Sequence, residues 1–226
     1  MTSIYQQALG AGFQRLHPMI QKRFGFGSAD GVASIGRGVM DRVWLGRLFT
    51  RPFLYLGSWR NIFFPEQGEN VPFTIGNYAY RDSFGRETVT WVRTFDFGEH
   101  ERRFDATMIH SRQRGKIVDF MGTHQHLAVD IDLAVAPNGG LQLSGRDQRF
   151  YEGPLAFRFP MFFSGIADVC EWYSDAEQRY RIEVVVHNRT WGRLFGYSGW
   201  FEAEFRATQP GEVPPGLKPV REERRE

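Results

Sequence analysis

The chain has 226 residues, of which 42% are apolar and 24% charged, and its formal net charge at pH 7 is +2. These values are typical of one folded domain and argue against an intrinsically disordered chain. The charge is small and dispersed, which argues against a nucleic-acid-binding protein. A single cysteine, Cys170, excludes an intrachain disulfide and favours a reducing compartment.

The sequence predicts neither a membrane span nor a secretion signal. It contains no uninterrupted apolar run of about 18 residues. Its N-terminus lacks a basic stretch followed by an apolar run and a small-residue cleavage site. We therefore expect a cytoplasmic protein.

Two short helices are predicted at the N-terminus. Ser3 and Gln6 form a capping-box pattern before a short apolar face, and Pro18 starts a second helix because it would disturb the interior of a longer one. A strand-like run over residues 32–43 and an apolar segment over residues 45–59 then predict a strand followed by a helix.

Alternating apolar and polar residues predict a long series of antiparallel strands in the rest of the chain. Turn signals separate them, as at residues 137–140, which read Pro-Asn-Gly-Gly. The predicted strands lie at residues 71–80, 87–97, 104–110, 117–123, 126–135, 141–150, 166–173, 180–187 and 197–205.

This order of elements predicts an α+β fold that is predominantly antiparallel β. Such strands bury one face each, either in a sandwich or in a sheet that curls around a cavity or helix. The many aromatic residues on the presumed inner faces favour a curled sheet or β-barrel, lipocalin-like or helix-grip-like, with short N-terminal helices. Residues 1–207 are predicted to form a single β-rich domain, and the Pro- and charge-rich residues 208–226 a disordered tail.

Arg93 is the first candidate for a site in the interior. On its strand it alternates in phase with Trp91 and Phe95, so its guanidinium lies on the apolar face of the strand. A buried guanidinium is costly unless it is paired, so Arg93 is expected to contact a carboxylate, carbonyl oxygens or an anionic ligand. Glu171 is the predicted partner, and a buried carboxylate of this kind can also transfer protons. A core salt bridge and a ligand-facing pair remain equal alternatives.

The other candidate wall residues are aromatic or amide side chains on presumed inner faces. The complete predicted ligand-binding set is Trp91, Arg93, Phe95, Glu171, Tyr173, Asn188, Tyr197 and Phe201. If the protein is an enzyme, the predicted catalytic groups are Glu171, Arg93 and His124.

No metal or cofactor is predicted. His124 and His126 share a strand face with Asp130 and Asp132, but the opposite face is apolar, so the His/Asp face lies in solvent. Phosphate-binding loops, nucleophile elbows and zinc-protease motifs are absent from the sequence.

Several short patterns in order resemble a bacterial family, the domain of unknown function 4166. They are Leu9-Gly10-Ala11-Gly12-Phe13, Leu16-His17-Pro18, Glu87, Thr90-Trp91-Val92-Arg93-Thr94-Phe95, Asn138-Gly139-Gly140-Leu141, Glu171-Trp172 and residues 193–200. The resemblance covers residues 5 to about 205 and implies no established activity.

Three functional hypotheses follow. The first is a domain that encloses a small hydrophobic or amphipathic molecule in an aromatic cavity with Arg93 and Glu171 as anchors. The second is a cofactor-independent cyclase, isomerase or lyase of a secondary-metabolite pathway that uses the same pocket. The third is an interaction domain in which the pair is only a core salt bridge. The oligomeric state is left open.

Overall fold

The computed structural model describes residues 2–46, 51–160, 162 and 164–226. Helix α1 (Ile4–Leu9) begins at the predicted capping box, in which Ser3 and Gln6 satisfy each other's backbone N–H groups. A 3₁₀ helix (Gly10–Arg15) leads into α2 (Pro18–Phe24), which starts at the expected proline. A third helix, α3 (Arg51–Ser58), separates the first two strands.

Eleven strands form one antiparallel sheet, as the alternation predicts. They are β1 (Val32–Leu45), β2 (Gly68–Arg81), β3 (Glu87–Asp96), β4 (Glu101–Ser111), β5 (Lys116–Met121), β6 (Leu127–Val135), β7 (Leu141–Glu152), β8 (Leu155–Arg158), β9 (Ile166–Ser174), β10 (Arg179–Asn188) and β11 (Gly192–Ala207). The short β8 was not predicted.

The sheet closes on itself. Its strand order is β6-β5-β4-β3-β2-β1-β11-β10-β9-β7-β8, and β6 also pairs with β7. Ten strands therefore form a closed barrel, and β8 is an extra strand that pairs with β7 outside the ring. The predicted β-barrel is confirmed, and a closed barrel leaves almost no sheet edge exposed.

The N-terminal helices plug one end of the barrel. The Tyr5 hydroxyl accepts a hydrogen bond from Trp91 Nε1 inside the lumen at 2.7 Å. The His17 backbone N–H donates to the carbonyl of Gly139 in the β6–β7 turn, at 2.8 Å. The plugged rim is thus the end that carries the turns at residues 82–86, 112–115, 136–140 and 175–178.

The opposite rim, here called the open rim, carries α3 and the segment that follows it. Gly122, at the end of β5, has a φ of +71°, and a Cβ there would collide with the carbonyl of Arg60. The backbone N–H of Thr123 donates to that carbonyl at 2.9 Å. Glycine is therefore what lets residues 60–62 lie against the barrel wall.

The C-terminal segment, residues 208–226, has no helix or strand, but it contacts the outer barrel wall. The Arg86 guanidinium donates to the Glu223 carbonyl at 2.7 Å, and the Gln125 side chain accepts from the Glu223 backbone N–H at 2.6 Å. Thr90 Oγ1 donates to the Leu217 carbonyl at 3.4 Å. These contacts join the segment to the barrel wall at three points.

The same segment explains why β3 is buried on both faces. Trp91 and Phe95 point into the barrel core, whereas Thr88 and Thr90 point outward and are nevertheless 1% exposed. A second apolar cluster lies on the outer wall near the segment and comprises Ile109, Val118, Phe120, Ala128 and Tyr151.

No helix in the described residues is long and apolar enough to cross a membrane.

Candidate functional site: a half-plugged barrel cavity

A cavity of about 640 Å³ occupies the lumen between the plug and the open rim. Its floor and walls are mainly apolar, with Trp91, Phe104, Met108, Leu143 and Val169 among the lining residues. Side chains near the open rim, among them Trp59, Phe63, Phe150 and Phe159, line its upper part. The volume falls within the range of small-molecule sites, which is about 300–1,000 Å³.

Arg93 lines this cavity, as its strand phase predicts. Its Nε donates to the Phe104 carbonyl at 3.1 Å, and its Nη1 donates to the Tyr197 hydroxyl at 3.1 Å. The guanidinium carbon lies 3.9 Å from the centre of the Phe104 ring, a cation–π contact. Among the described residues no carboxylate reaches Arg93 within ion-pairing distance.

Asp119 is the buried carboxyl group of the cavity lining, whereas Glu152, the other acidic lining residue, has an exposed side chain. Asp119 is not among the site residues predicted from the sequence. It lies on β5 in phase with Ile117 and Met121, which are core residues. Its Oδ1 atom is buried and has no hydrogen-bond partner among the described residues. Burial raises the pKa of Asp119 to about 7, against the opposing charge of Arg93 and a backbone hydrogen bond from Thr107.

The alternation of β5 could have found Asp119. Its predicted strand over residues 117–123 places a lone carboxylate between two apolar side chains of one face, the same argument that singled out Arg93 on β3.

Glu171 does not pair with Arg93, so the predicted partnership is wrong. Its Oε1 accepts a hydrogen bond from Nε of Arg23, a plug residue on α2, and both side chains are fully buried. The same guanidinium donates to Ser34 Oγ at 2.6 Å and to Asn77 Oδ1 at 3.0 Å. Burial raises the pKa of Glu171, while the charge of Arg23 lowers it.

The remaining predicted wall residues lie outside the cavity lining. Phe95 and Tyr197 pack edge to face at 5.0 Å behind Arg93. Phe201 lies under the Arg23 guanidinium at 4.7 Å, and Tyr173 stacks on His17 at 5.2 Å, so both belong to the plug interface. Asn188 anchors the open rim by donating to the Ser164 carbonyl at 2.6 Å.

The predicted histidine lies at the mouth rather than in the cavity. His124 Nε2 is 2.6 Å from Nη1 of Arg60. Burial and the Arg60 charge lower the pKa of His124. Its neighbour His126 does line the cavity, and its Nδ1 lies 2.8 Å from a carboxylate oxygen of Glu152.

Within the described residues no three His, Cys, Asp or Glu side chains come close enough to hold a metal ion.

Cys170 has no feature of a reactive thiol. Burial raises the pKa of its thiol to about 11, with the charges of Glu183 and Glu171 acting in the same direction. A thiol that stays protonated at neutral pH is a poor nucleophile.

Two comparisons with known proteins give matches that cover most of this chain. The model of the domain of unknown function DUF4166 matches residues 16–201. This chain belongs to the DUF4166 family. It is also 32% identical over 207 residues to uncharacterized protein YndH of Bacillus subtilis (strain 168), an alignment that covers 91% of this chain and 99% of YndH. No solved structure matches the chain.

The DUF4166 match covers the cavity but not the whole chain. Arg93, Asp119 and Glu171 all lie within residues 16–201, whereas α1 and the C-terminal segment lie outside them.

Proposed function

We propose that this DUF4166 chain binds a small amphipathic molecule inside its barrel. The observation that carries the proposal is the Asp119 carboxyl oxygen, which is buried without a partner beside an apolar cavity of about 640 Å³. A buried polar atom left unpaired costs about 1–3 kcal/mol, so a bound polar group at this position gains a hydrogen bond that the protein alone lacks.

The polar group of the ligand is expected to be an oxygen acid or a hydroxyl. Arg93 lines the same cavity, and its charge lowers the Asp119 pKa that burial raises. The site therefore carries a cation together with a carboxyl group whose pKa is about 7. The protonated form of this carboxyl is therefore populated at neutral pH, and it can donate to a ligand oxygen. A carboxylate on an apolar body matches both groups.

The apolar body of the ligand is expected to lie among the aromatic and aliphatic walls. Trp91, Phe104 and Met108 line the cavity, and a ring or alkyl chain against them would replace water at apolar surface. Because the chain has one cysteine and no possible intrachain disulfide, we place this binding activity in the cytoplasm.

Fluorescence titration with cis-parinaric acid, a fluorescent fatty acid, tests the binding. The wild-type protein should bind it, and Arg93→Met should weaken binding at least tenfold by removing the cation, about 1.4 kcal/mol or more. Arg37→Met is the matched control, because Arg37 is exposed and pairs with Glu204 on the outer surface. Native mass spectrometry of protein from its own host should show a co-purifying mass that Arg93→Met loses.

The binding proposal is overturned if Arg93→Met and Arg37→Met bind the fatty acid equally and no mass co-purifies with either. Equal binding would mean that the probe adheres outside the cavity.

A cofactor-independent cyclase, isomerase or lyase is the second candidate. The specific observation in its favour is the buried Asp119 carboxyl in the cavity wall, one oxygen of which has no hydrogen-bond partner among the described residues. Burial raises the pKa of this group to about 7, and a general acid–base group works best when its pKa is near the working pH. Asp119→Asn separates the two candidates. An enzyme should still bind the co-purifying molecule but stop converting it, as followed by chromatography of the recovered ligand, whereas a binding protein converts nothing in either form.

A further inference from the structure

Exposed apolar side chains collect at the open rim. Among the described residues, seven large apolar side chains are exposed, and five of these lie on rim segments: Tyr55, Trp59, Leu155, Phe157 and Phe162. Trp59 is the most exposed of them, at 81%. The other two are Phe84, at the plugged rim, and Val220, in the C-terminal segment. An apolar surface of this kind, confined to one end, marks an interaction site.

These side chains continue the wall of the cavity to the surface. Trp59 is itself a lining residue. Phe150 and Phe159 also line the cavity, and both contact the exposed Phe157 ring, at centroid distances of 5.3 Å and 6.3 Å. An apolar molecule leaving the cavity therefore meets apolar side chains up to the outer surface.

Cationic side chains flank this apolar surface. Arg60 is exposed directly after Trp59. Arg189 is exposed on the β10–β11 turn and Arg193 is exposed at the start of β11. Trp191 of the same turn packs edge to face on Phe162 at 5.3 Å. Residues 189–193 include no acidic residue. Arginine next to Trp, Tyr and Phe is the composition that peripheral proteins present to the headgroup region of an anionic bilayer.

We propose that the open rim docks on the surface of an anionic lipid bilayer, with its aromatic side chains in the headgroup layer and the cavity mouth facing the lipid. This inference rests on the proposed binding function and names the source of the ligand, since a molecule with a large apolar body is stored in membranes rather than in water. The rim residues come from three separate segments around one opening, an arrangement that fits a flat lipid surface.

Vesicle co-sedimentation tests the docking. The wild-type chain should pellet with phosphatidylcholine vesicles that contain phosphatidylglycerol and several-fold less with pure phosphatidylcholine, because the arginines attract anionic headgroups. The double variant Tyr55→Gln/Phe157→Gln, which changes two exposed rim residues outside the cavity lining, should lower the bound fraction on anionic vesicles at least about tenfold. Phe84→Gln, at the opposite rim, is the matched control and should bind like the wild type.

Two further measurements separate docking from ligand binding and from self-association. The double variant should bind cis-parinaric acid in solution as the wild type does, because both substituted side chains are exposed and neither lines the cavity. Wild-type binding to the fatty acid without sedimentation on anionic vesicles would overturn the docking proposal and leave the cavity proposal intact. A wild-type dimer in gel filtration that the double variant dissociates would assign the rim to a second copy of the chain and overturn bilayer docking.

Discussion

Arg23 on helix α2 and Glu171 on strand β9 form a fully buried ion pair across 148 residues of sequence. The guanidinium also lies 4.7 Å from the Phe201 ring and bonds to Ser34 and Asn77. It therefore ties the plug to strands β1, β2, β9 and β11. Buried pairs of this kind contribute little net stability when intact, but breaking them is costly because one charge stays buried alone.

Arg23→Met is expected to lower the free energy of unfolding by about 3–5 kcal/mol, because it leaves the Glu171 carboxylate in the core without its cation. Chemical denaturation measures the loss. The double variant Arg23→Met/Glu171→Gln should recover much of it, since the stranded charge is gone. A double variant as unstable as the single one would show that Arg23 acts through packing alone.

Arg93→Met is expected to lower the free energy of unfolding by about 1–2 kcal/mol, which is less than the loss expected for Arg23→Met. Its hydrogen bonds go to a carbonyl and a hydroxyl rather than to a carboxylate, so no charge is left without an ion-pair partner. The same change should raise the pKa of Asp119 further above its ordinary value, because the opposing charge is lost. Chemical denaturation measures the change in the free energy of unfolding, and NMR titration of the Asp119 carboxyl carbon measures the change in its pKa. A loss as large as that of Arg23→Met would contradict this assignment.

The raised pKa of Asp119 is expected to make the stability of the protein depend on pH. This pKa is about 7 in the folded protein, against an ordinary value of 3.8 for an aspartate, so the folded state holds more protons than the unfolded state between these two pH values. The contribution of this group is therefore fully present below about pH 4 and is lost as pH rises through 7. Three pKa units correspond to at most about 4 kcal/mol.

Asp119→Asn should thus be more stable than the wild type at pH 8, by about 1–3 kcal/mol, and the difference should shrink toward pH 4. Thermal denaturation across this pH range measures it. Asp41→Asn, at an exposed position paired with Arg181, is the control and should shift the curve little. A stability difference that grows as the pH falls would refute the raised pKa.

Deletion of residues 209–226 tests whether this segment is disordered or is bound to the outer barrel wall. Composition alone predicts almost no change in melting temperature, whereas the contacts of Glu223 and Leu217 with the barrel predict a loss of about 2–3 kcal/mol, or about 5–10 °C. Glu223→Gln should reproduce part of the drop, because Glu223 accepts bonds from Arg221 and Arg225. Glu212→Gln, at an exposed position of the same segment, should not.

The order of the elements could be predicted from the sequence because it depends on local patterns. The capping box at Ser3, the proline at the start of α2 and the two-residue alternation each act within one element. The inward direction of Arg93 follows from the same alternation, and the structure agrees with it. Strand β8 was missed because its four residues are all exposed and carry no alternation of burial.

Local sequence patterns therefore specify the set of strands, the faces that the strands present and the presence of a charged group among aromatic residues. Which charged side chains contact each other depends on the closed barrel. Closure of the barrel brings Glu171 to the plug and Arg93 and Asp119 to the cavity, because pairing between distant strands and the position of the N-terminal helices depend on the whole chain. Alternation specifies whether a side chain points inward, but it carries no information on its height along the barrel or on its neighbour across the lumen.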